Sequence, residues 1–340
     1  MSINPNFEYF ETNPINLELK DNIIKDAKPC DKNNQFIAFI PTRFNDTFII
    51  YASNYRKNLV LYSLDDNQKI QQIKNPFSED EIISIRYFIN NNIDYIVLTS
   101  YNKIKIFIII EEGLNEILSL SEIYNDNCCI SSSCLLFNIN NDENYIIIAN
   151  SKSEDKIKIY DLNNGKFIRD FGDNDLITYV DSFIKDKIIY ILVGTIRKGI
   201  KVYDFNDNKL YKQFNEDSYL NGGHFSIIIN NNELIESSSD KYIRIWDFNS
   251  GKLIKKIDCA CFIIGILTWN GKFLFVGNSY SDSPNIIKLI NLEDKKIVKE
   301  FQGPQNSIYC LQKVKNKQYG ECLLSICKEG YIKLWNNPNY

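Results

Sequence analysis

The 340-residue chain has little of the chemistry that enzymes use at neutral pH. It contains one histidine, His224, and one methionine, Met1. A two-histidine metal site is therefore excluded, and a Ser-His-Asp triad would have to use His224. The nine cysteines are an odd number. Cys128-Cys129, Cys259-Ala260-Cys261 and the Cys322 to Cys327 pair lack the C-x2-C spacing of structural zinc sites, so they read as small buried residues on strands. There is no Gly-x-Ser-x-Gly elbow and no glycine-rich loop opening a helix. No catalytic residue, metal or cofactor is expected.

An excess of positive charge is also missing. Lys and Arg number 39 against 43 Asp and Glu, for a net charge of −4. A basic footprint for nucleic acid is thus absent. The apolar runs at 106–110 and 261–267 are strand-sized, far short of the roughly 18 residues of a membrane span. The first residues carry no basic stretch followed by an apolar one, so no secretory signal is expected. Reduced thiols in the cytoplasm or nucleus fit the cysteine usage. What the chain does have is 44% hydrophobic and 13% aromatic residues. That is enough for a large core and excludes wholesale disorder.

One segment recurs. Tyr242-Ile243-Arg244-Ile245-Trp246-Asp247 has counterparts ending at Tyr62, Phe107, Tyr160, Tyr203, Ile290 and Trp335, spaced 43 to 53 residues apart. Each alternates a basic or polar residue with branched apolar ones, the pattern of a half-buried strand. Turn residues follow most of them, as in Asn163-Asn164-Gly165 and Asn249-Ser250-Gly251, and a further short strand comes next. Two earlier apolar runs per unit meet at Asn-rich turns such as 90–92 and 230–232. Each unit is predicted to be four antiparallel strands, and seven such units predict an all-β, seven-bladed propeller spanning 1–340.

The chain resembles the WD-repeat family. The resemblance is strongest at Trp246-Asp247, with Tyr160-Asp161, Tyr203-Asp204 and Trp335-Asn336 close behind, and it is degenerate at Tyr62, Phe107 and Ile290. It implies a non-catalytic scaffold for protein partners, a monomer by itself or a subunit of a larger complex. The family's Ser and Asp match at Ser238 and Asp240, which with Trp246 and Trp335 are assigned structural roles. Elsewhere the Asp position holds Arg56, Tyr101, Glu154, Arg197, Pro284 or Glu329. Gly223-His224 spells the family's blade-opening dipeptide. An ungapped alignment of 171–203 with 214–246 sets His224 opposite Asp181, inside a first strand. On that register the dipeptide is set aside, and the family's side-chain network is expected to be absent.

Five residues follow Trp335, too few for a fourth strand. A segment within residues 1–30, either 15–19 or 22–25, is expected to supply it and so remove an exposed sheet edge. Partner contact is assigned to loops between second and third strands: Tyr55, Arg56, Tyr101, Arg197 and Lys328, next to Ser100, Ile196 and Glu329. Tyr and Arg are enriched at interface hot spots. The alternatives are a phosphoinositide- or phosphate-binding propeller using Arg197-Lys198, and an enzyme at the channel mouth. Asp173, Asp175 and Asp181 are expected to be solvated loop acids.

Overall fold

The computed structural model describes residues 15–17, 37–40, 48–53, 57–63, 68–124, 130–137, 143–150, 157–172, 175–216, 224–279, 286–302, 308–316, 320–327 and 332–335. Their regular structure is β throughout. No described helix is long and apolar enough to cross a membrane.

After β1 (Ile15–Leu17), the chain makes six sheets of four consecutive strands. Sheet 1 is β2 (Ile37–Ile40), β3 (Phe48–Ser53), β4 (Asn58–Ser63) and β5 (Gln68–Lys74). Sheet 2 is β6 (Ser84–Asn90), β7 (Ile93–Thr99), β8 (Ile104–Ile110) and β9 (Gly113–Leu120). Sheet 3 is β10 (Ile130–Phe137), β11 (Asn144–Asn150), β12 (Ile157–Asp161) and β13 (Phe167–Phe171). Sheet 4 is β14 (Ile177–Lys185), β15 (Ile188–Thr195), β16 (Ile200–Asp204) and β17 (Leu210–Phe214). Sheet 5 is β18 (His224–Asn230), β19 (Glu233–Ser238), β20 (Tyr242–Asp247) and β21 (Leu253–Asp258). Sheet 6 is β22 (Phe262–Trp269), β23 (Phe273–Ser279), β24 (Ile286–Asn291) and β25 (Lys296–Gln302). Sheet 7 joins β26 (Ile308–Asn316), β27 (Gly320–Cys327) and β28 (Ile332–Trp335) to β1.

The recurring segment is the third strand of each sheet. β1 pairs antiparallel with β28, setting Ile15 opposite Leu334 and Leu17 opposite Ile332. The outer strand of sheet 7 thus comes from the first of the two segments considered. The other, 22–25, lies outside the described residues. The Asn-rich reversals behave as expected, with Asn91, Asn92 and Asn231 all at positive φ.

The chain divides into two compact units. In the unit Phe77–Ile264 are sheets 2 to 5. Neighbouring sheets there share apolar clusters, such as Tyr190, Val202, Phe214, Leu234 and Trp246 between sheets 4 and 5. A repeated clasp adds to this packing. The turns leaving β12, β16 and β20 each lie against the outer strand of the sheet before. Lys212 on β17 donates to the Phe248 carbonyl at 3.0 Å, and its methylene chain lies beside Gly251. Arg169 on β13 donates to the Phe205 carbonyl, with its guanidinium 4.6 Å from the centre of the Phe205 ring. One sheet earlier, Leu118 and Leu120 of β9 press on Gly165. In the other unit, Trp269, Phe275, Phe301, Ile308 and Trp335 join sheets 6 and 7 in one core. The Trp335 indole donates to Ser325 Oγ at 2.9 Å.

Sheet spacing depends on small residues near the end of the second strand. A Cβ on Gly194 would come within 2.9 Å of His224 Cβ, and one on Gly277 within 2.9 Å of Ile308 Cγ2. At each place the first strand of the next sheet passes too close for a larger side chain.

Candidate functional site

Of the residues assigned to partner contact, Tyr55, Arg56 and Lys328 lie outside the described residues, as does Glu329. Tyr101 is 48% exposed in the turn between β7 and β8, and Ser100 beside it is buried. Arg197 is exposed in the turn between β15 and β16. That turn is tightly built. Thr195 Oγ1 accepts from the Lys198 amide at 3.1 Å and donates to the Gly199 carbonyl at 2.9 Å. Gly199 has φ +70°, and a Cβ there would lie under 3.0 Å from the Phe214 carbonyl oxygen. Gly199→Ala is therefore expected to destabilise the fold by about 2 kcal/mol or more, measured by urea unfolding. An unchanged midpoint would show that the turn relaxes freely.

Counted from the last paired residue of the second strand, Asn102 and not Tyr101 takes the place of Asp240. Asn102 is three residues after Thr99, which pairs with Ile104, as Asp240 is three after Ser237, which pairs with Ile243. Its side chain accepts from the Tyr124 amide at 2.6 Å and donates to the Tyr124 carbonyl at 2.5 Å. Asn102 thereby fixes the segment leading into sheet 3.

Three expectations are corrected in sheets 4 and 5. A side-chain network is present in sheet 5 where none was expected. Apart from the Ser238–Asp240 bond it is not built on the family's residues, and it centres on Arg244, which is fully buried although a half-buried strand was predicted. Arg244 donates to Asp240, to Ser238 Oγ and to Glu216 Oε2, the last at 2.7 Å. Ser238 also bonds Asp240, and Lys256 reaches Glu216 at 3.0 Å. The Trp246 indole donates to buried Glu236 Oε1 at 3.3 Å. The register for His224 is corrected as well. It is the first residue of β18, opposite Ser238, the place Ile177 holds opposite Thr195 in sheet 4. Its ring is buried with Nδ1 2.8 Å from Glu236 Oε2, and Thr178 Oγ1 accepts its backbone amide at 3.0 Å. His224 therefore opens its sheet, as the dipeptide suggested. Of the assigned structural residues, Ser238, Asp240 and Trp246 all join this network, and Trp335 has its own bond to Ser325.

The acids of sheet 4 are the third correction. Asp175 is buried, 3.7 Å from the buried Lys201 ammonium and 4.0 Å from that of Lys198. Asp181 is paired with Arg86 at 2.8 Å and accepts from the Tyr179 hydroxyl at 2.7 Å. Neither is a solvated loop acid, and Asp173 lies outside the described residues. Arg86 also donates to the Ser133 and Val180 carbonyls at 2.7 and 2.9 Å, tying the first strands of sheets 2, 3 and 4. Burial alone would lower the Arg86 pKa, but Asp181 more than compensates and the net shift is upward. Burial raises the nearby Cys134 thiol, so that cysteine is a packed group and a poor nucleophile.

The charge balance of the Arg244 network sets an acid limit. Burial raises the carboxyl pKa of both Asp240 and Glu216. Hydrogen bonds from Arg244, with Ser238 at Asp240 and Lys256 at Glu216, outweigh it and hold both below their ordinary values. A carboxylate depressed in the folded state stabilises above its unfolded pKa and loses that contribution as pH falls through the folded value. Glu216→Gln should then flatten the fall in melting temperature below pH 4.5, the ordinary value for that carboxyl. A profile parallel to the parent's would mean that Glu216 does not contribute to acid unfolding.

Sequence reasoning missed Arg244, Glu236, Asn102 and Arg86. Only Arg244 left a visible signal, the lone arginine at a repeat position that holds Val60 in the first unit and lysine in the other five. Among the described residues, no group of three His, Cys, Asp or Glu side chains is placed to hold a metal ion.

No family model matches the chain, and no curated protein matches it. Solved structures do. The chain is similar to BBS1N, solved in complex with ARL6DN, with 12% identity and a TM-score of 0.65 over 89% of this chain and 91% of that one. It is also similar to the computationally designed protein Ika8, with 16% identity and a TM-score of 0.59 over 89% of this chain and 95% of that one. At these identities the likeness is one of fold: repeated four-stranded antiparallel sheets, as in the β-propeller BBS1N.

Proposed function

We propose that the protein is a non-catalytic, intracellular scaffold of the WD-repeat type that binds protein partners. In this reading the seven sheets are the blades of one propeller spanning 1–340, closed through β1. The observation that carries it is the sevenfold recurrence of one four-stranded sheet, the last completed by β1 against β28. The placing of β2 beside β26 supports closure. The fold neighbour BBS1N was solved with a protein bound. The charged clusters at Arg244, Arg86 and Lys201 are engaged in ties within and between sheets, which suits a rigid platform whose loops do the recognising.

Partner contact is assigned to the exposed turns bearing Tyr101 and Arg197. The test is affinity capture with the full chain, mass spectrometry, and rebinding of the purified partner. A Kd of about 1 μM or tighter is expected, weakened about tenfold or more by Tyr101→Ala with Arg197→Ala at unchanged melting temperature. Undiminished binding by the double variant would move the contact elsewhere. Failure of every purified candidate to rebind would overturn the scaffold reading.

A further inference from the structure

A sheet edge invites another strand unless something blocks it, and lysine on the edge is a common block. Six outer strands of five or more residues can be compared. β5 carries Lys69 and Lys74, β13 Arg169, β17 Lys212, β21 Lys255 and Lys256, and β25 Lys296 and Lys299. The exception is β9. Its sequence, Gly113-Leu-Asn-Glu-Ile-Leu-Ser-Leu120, has no Lys or Arg, and at 8 residues it is the longest of the six.

Glutamates outnumber basic residues along it, and Lys158, a cation from sheet 3, donates to the Ile123 carbonyl beyond its end. Glu111 and Glu112 are exposed in the turn that leads into it, Glu116 is exposed on the strand, and Glu122 is exposed just beyond. Lys105 on the neighbouring β8, 2.7 Å from Glu116, is the one basic residue between 104 and 123. Asn115, Glu116 and Ile117 form a consecutive exposed run, with Ile117 38% exposed. The face bearing Leu118 and Leu120 packs on Gly165 of sheet 3, so β9 is held firmly in place.

We propose that β9 is a docking edge for an extended, basic segment of a partner protein, which adds as a fifth strand of sheet 2. Main-chain pairing supplies affinity, the glutamates select Lys or Arg at alternate positions, and Ile117 takes an apolar side chain between them. The inference rests on the scaffold reading and assigns it a second surface, separate from the turns of Tyr101 and Arg197.

The probe is a fluorescein-labelled 12-residue peptide alternating Lys and Val with blocked ends, followed by anisotropy with the full-length protein. Binding that weakens with salt is expected. A counterpart with Glu for Lys, and one with Pro for alternate Val, should bind at least about tenfold more weakly. Ile117→Lys, which puts a basic residue on an exposed position of a strand that has none, should weaken the basic peptide about tenfold or more at unchanged melting temperature. Asn115→Lys is a second variant with the same expectation, should the first perturb folding. Equal binding of acidic and basic peptides, or full binding by both variants, would overturn the proposal. So would a concentration-dependent dimer abolished by Ile117→Lys, since the occupant would then be a second copy of the chain. A purified partner that still needs Tyr101 and Arg197 but ignores the β9 variants would refute this inference and leave the scaffold reading standing.

Discussion

Removal of residues 1–30 should lower the melting temperature by about 5 °C or more, or drive the protein into aggregates. The deletion takes away β1, whose three residues pair with Ile332, Lys333 and Leu334 of β28. β28 then becomes the outer edge of sheet 7, exposing the end of a core that includes the buried Trp335. Lost ladder hydrogen bonds at roughly 1 kcal/mol each, with newly exposed apolar surface, amount to several kcal/mol. That is a large part of the ~5–15 kcal/mol typical of a domain. In a chain of this size each kcal/mol moves the midpoint by about 1–2 °C. A synthetic peptide spanning residues 10–25, added in trans, should restore part of the loss. A truncated protein that stays monomeric with an unchanged midpoint would show that β1 contributes nothing to stability.

Arg244→Met should be the most damaging single substitution in the unit that holds sheets 2 to 5. Arg244 neutralises a cluster containing Asp240 and Glu216, and it lies 3.8 Å from buried Glu236. Removing the cation leaves carboxylates in low-dielectric surroundings without their main counter-charge, a loss of about 3–5 kcal/mol. Arg244→Lys should recover only part of this, because an ammonium cannot serve Ser238, Asp240 and Glu216 from one fixed plane. Adding Asp240→Asn and Glu216→Gln to Arg244→Met should return some stability, since both surplus charges are then gone. Urea unfolding of the four proteins checks the order. An Arg244→Met midpoint equal to the parent's would show that the network is ornamental.

The sheets were legible because strand alternation and turn chemistry repeat at a nearly constant spacing. Trp246, Tyr203 and Tyr160 mark third strands, and Asn-rich turns mark reversals, whatever surrounds them. The place of His224 was hidden by two length changes that cancel. The linker from Phe214 to β18 is four residues longer than that from Phe171 to β14, and the first hairpin of sheet 5 is four residues shorter than that of sheet 4. An ungapped alignment therefore fits at both ends and is wrong in the middle. Bulges at Ile177/Tyr179 and His224/Ser226 recur at the same place in the two sheets, but a bulge has no sequence mark of its own. Arg244 and Lys201 escaped for a different reason. Strand alternation tells which residues share a face, and a basic residue on a face that meets another sheet reads the same as one that meets water. Only their acidic partners, Glu216 for one and Asp175 for the other, distinguish the two cases, and these sit on separate segments. The partner-contact residues are the least legible part, because exposure of a turn side chain is compatible with any occupant.

The small residues at the ends of second strands carry a consequence for how such a chain can change over time. Gly194 exists in its present form because His224 passes beside it, and Gly277 because Ile308 does. In sheet 2 the matching position is Thr99, whose hydroxyl meets that of Ser133, a smaller neighbour, at 3.1 Å. Bulk at one sheet's strand end and bulk at the next sheet's first strand thus draw on the same fixed space. Related sequences should show the two positions covarying, a gain of volume at one matched by a loss at the other. A lone enlargement such as Gly277→Ala would be tolerated only alongside a trimmed residue 308, because the atom in the way is Ile308 Cγ2.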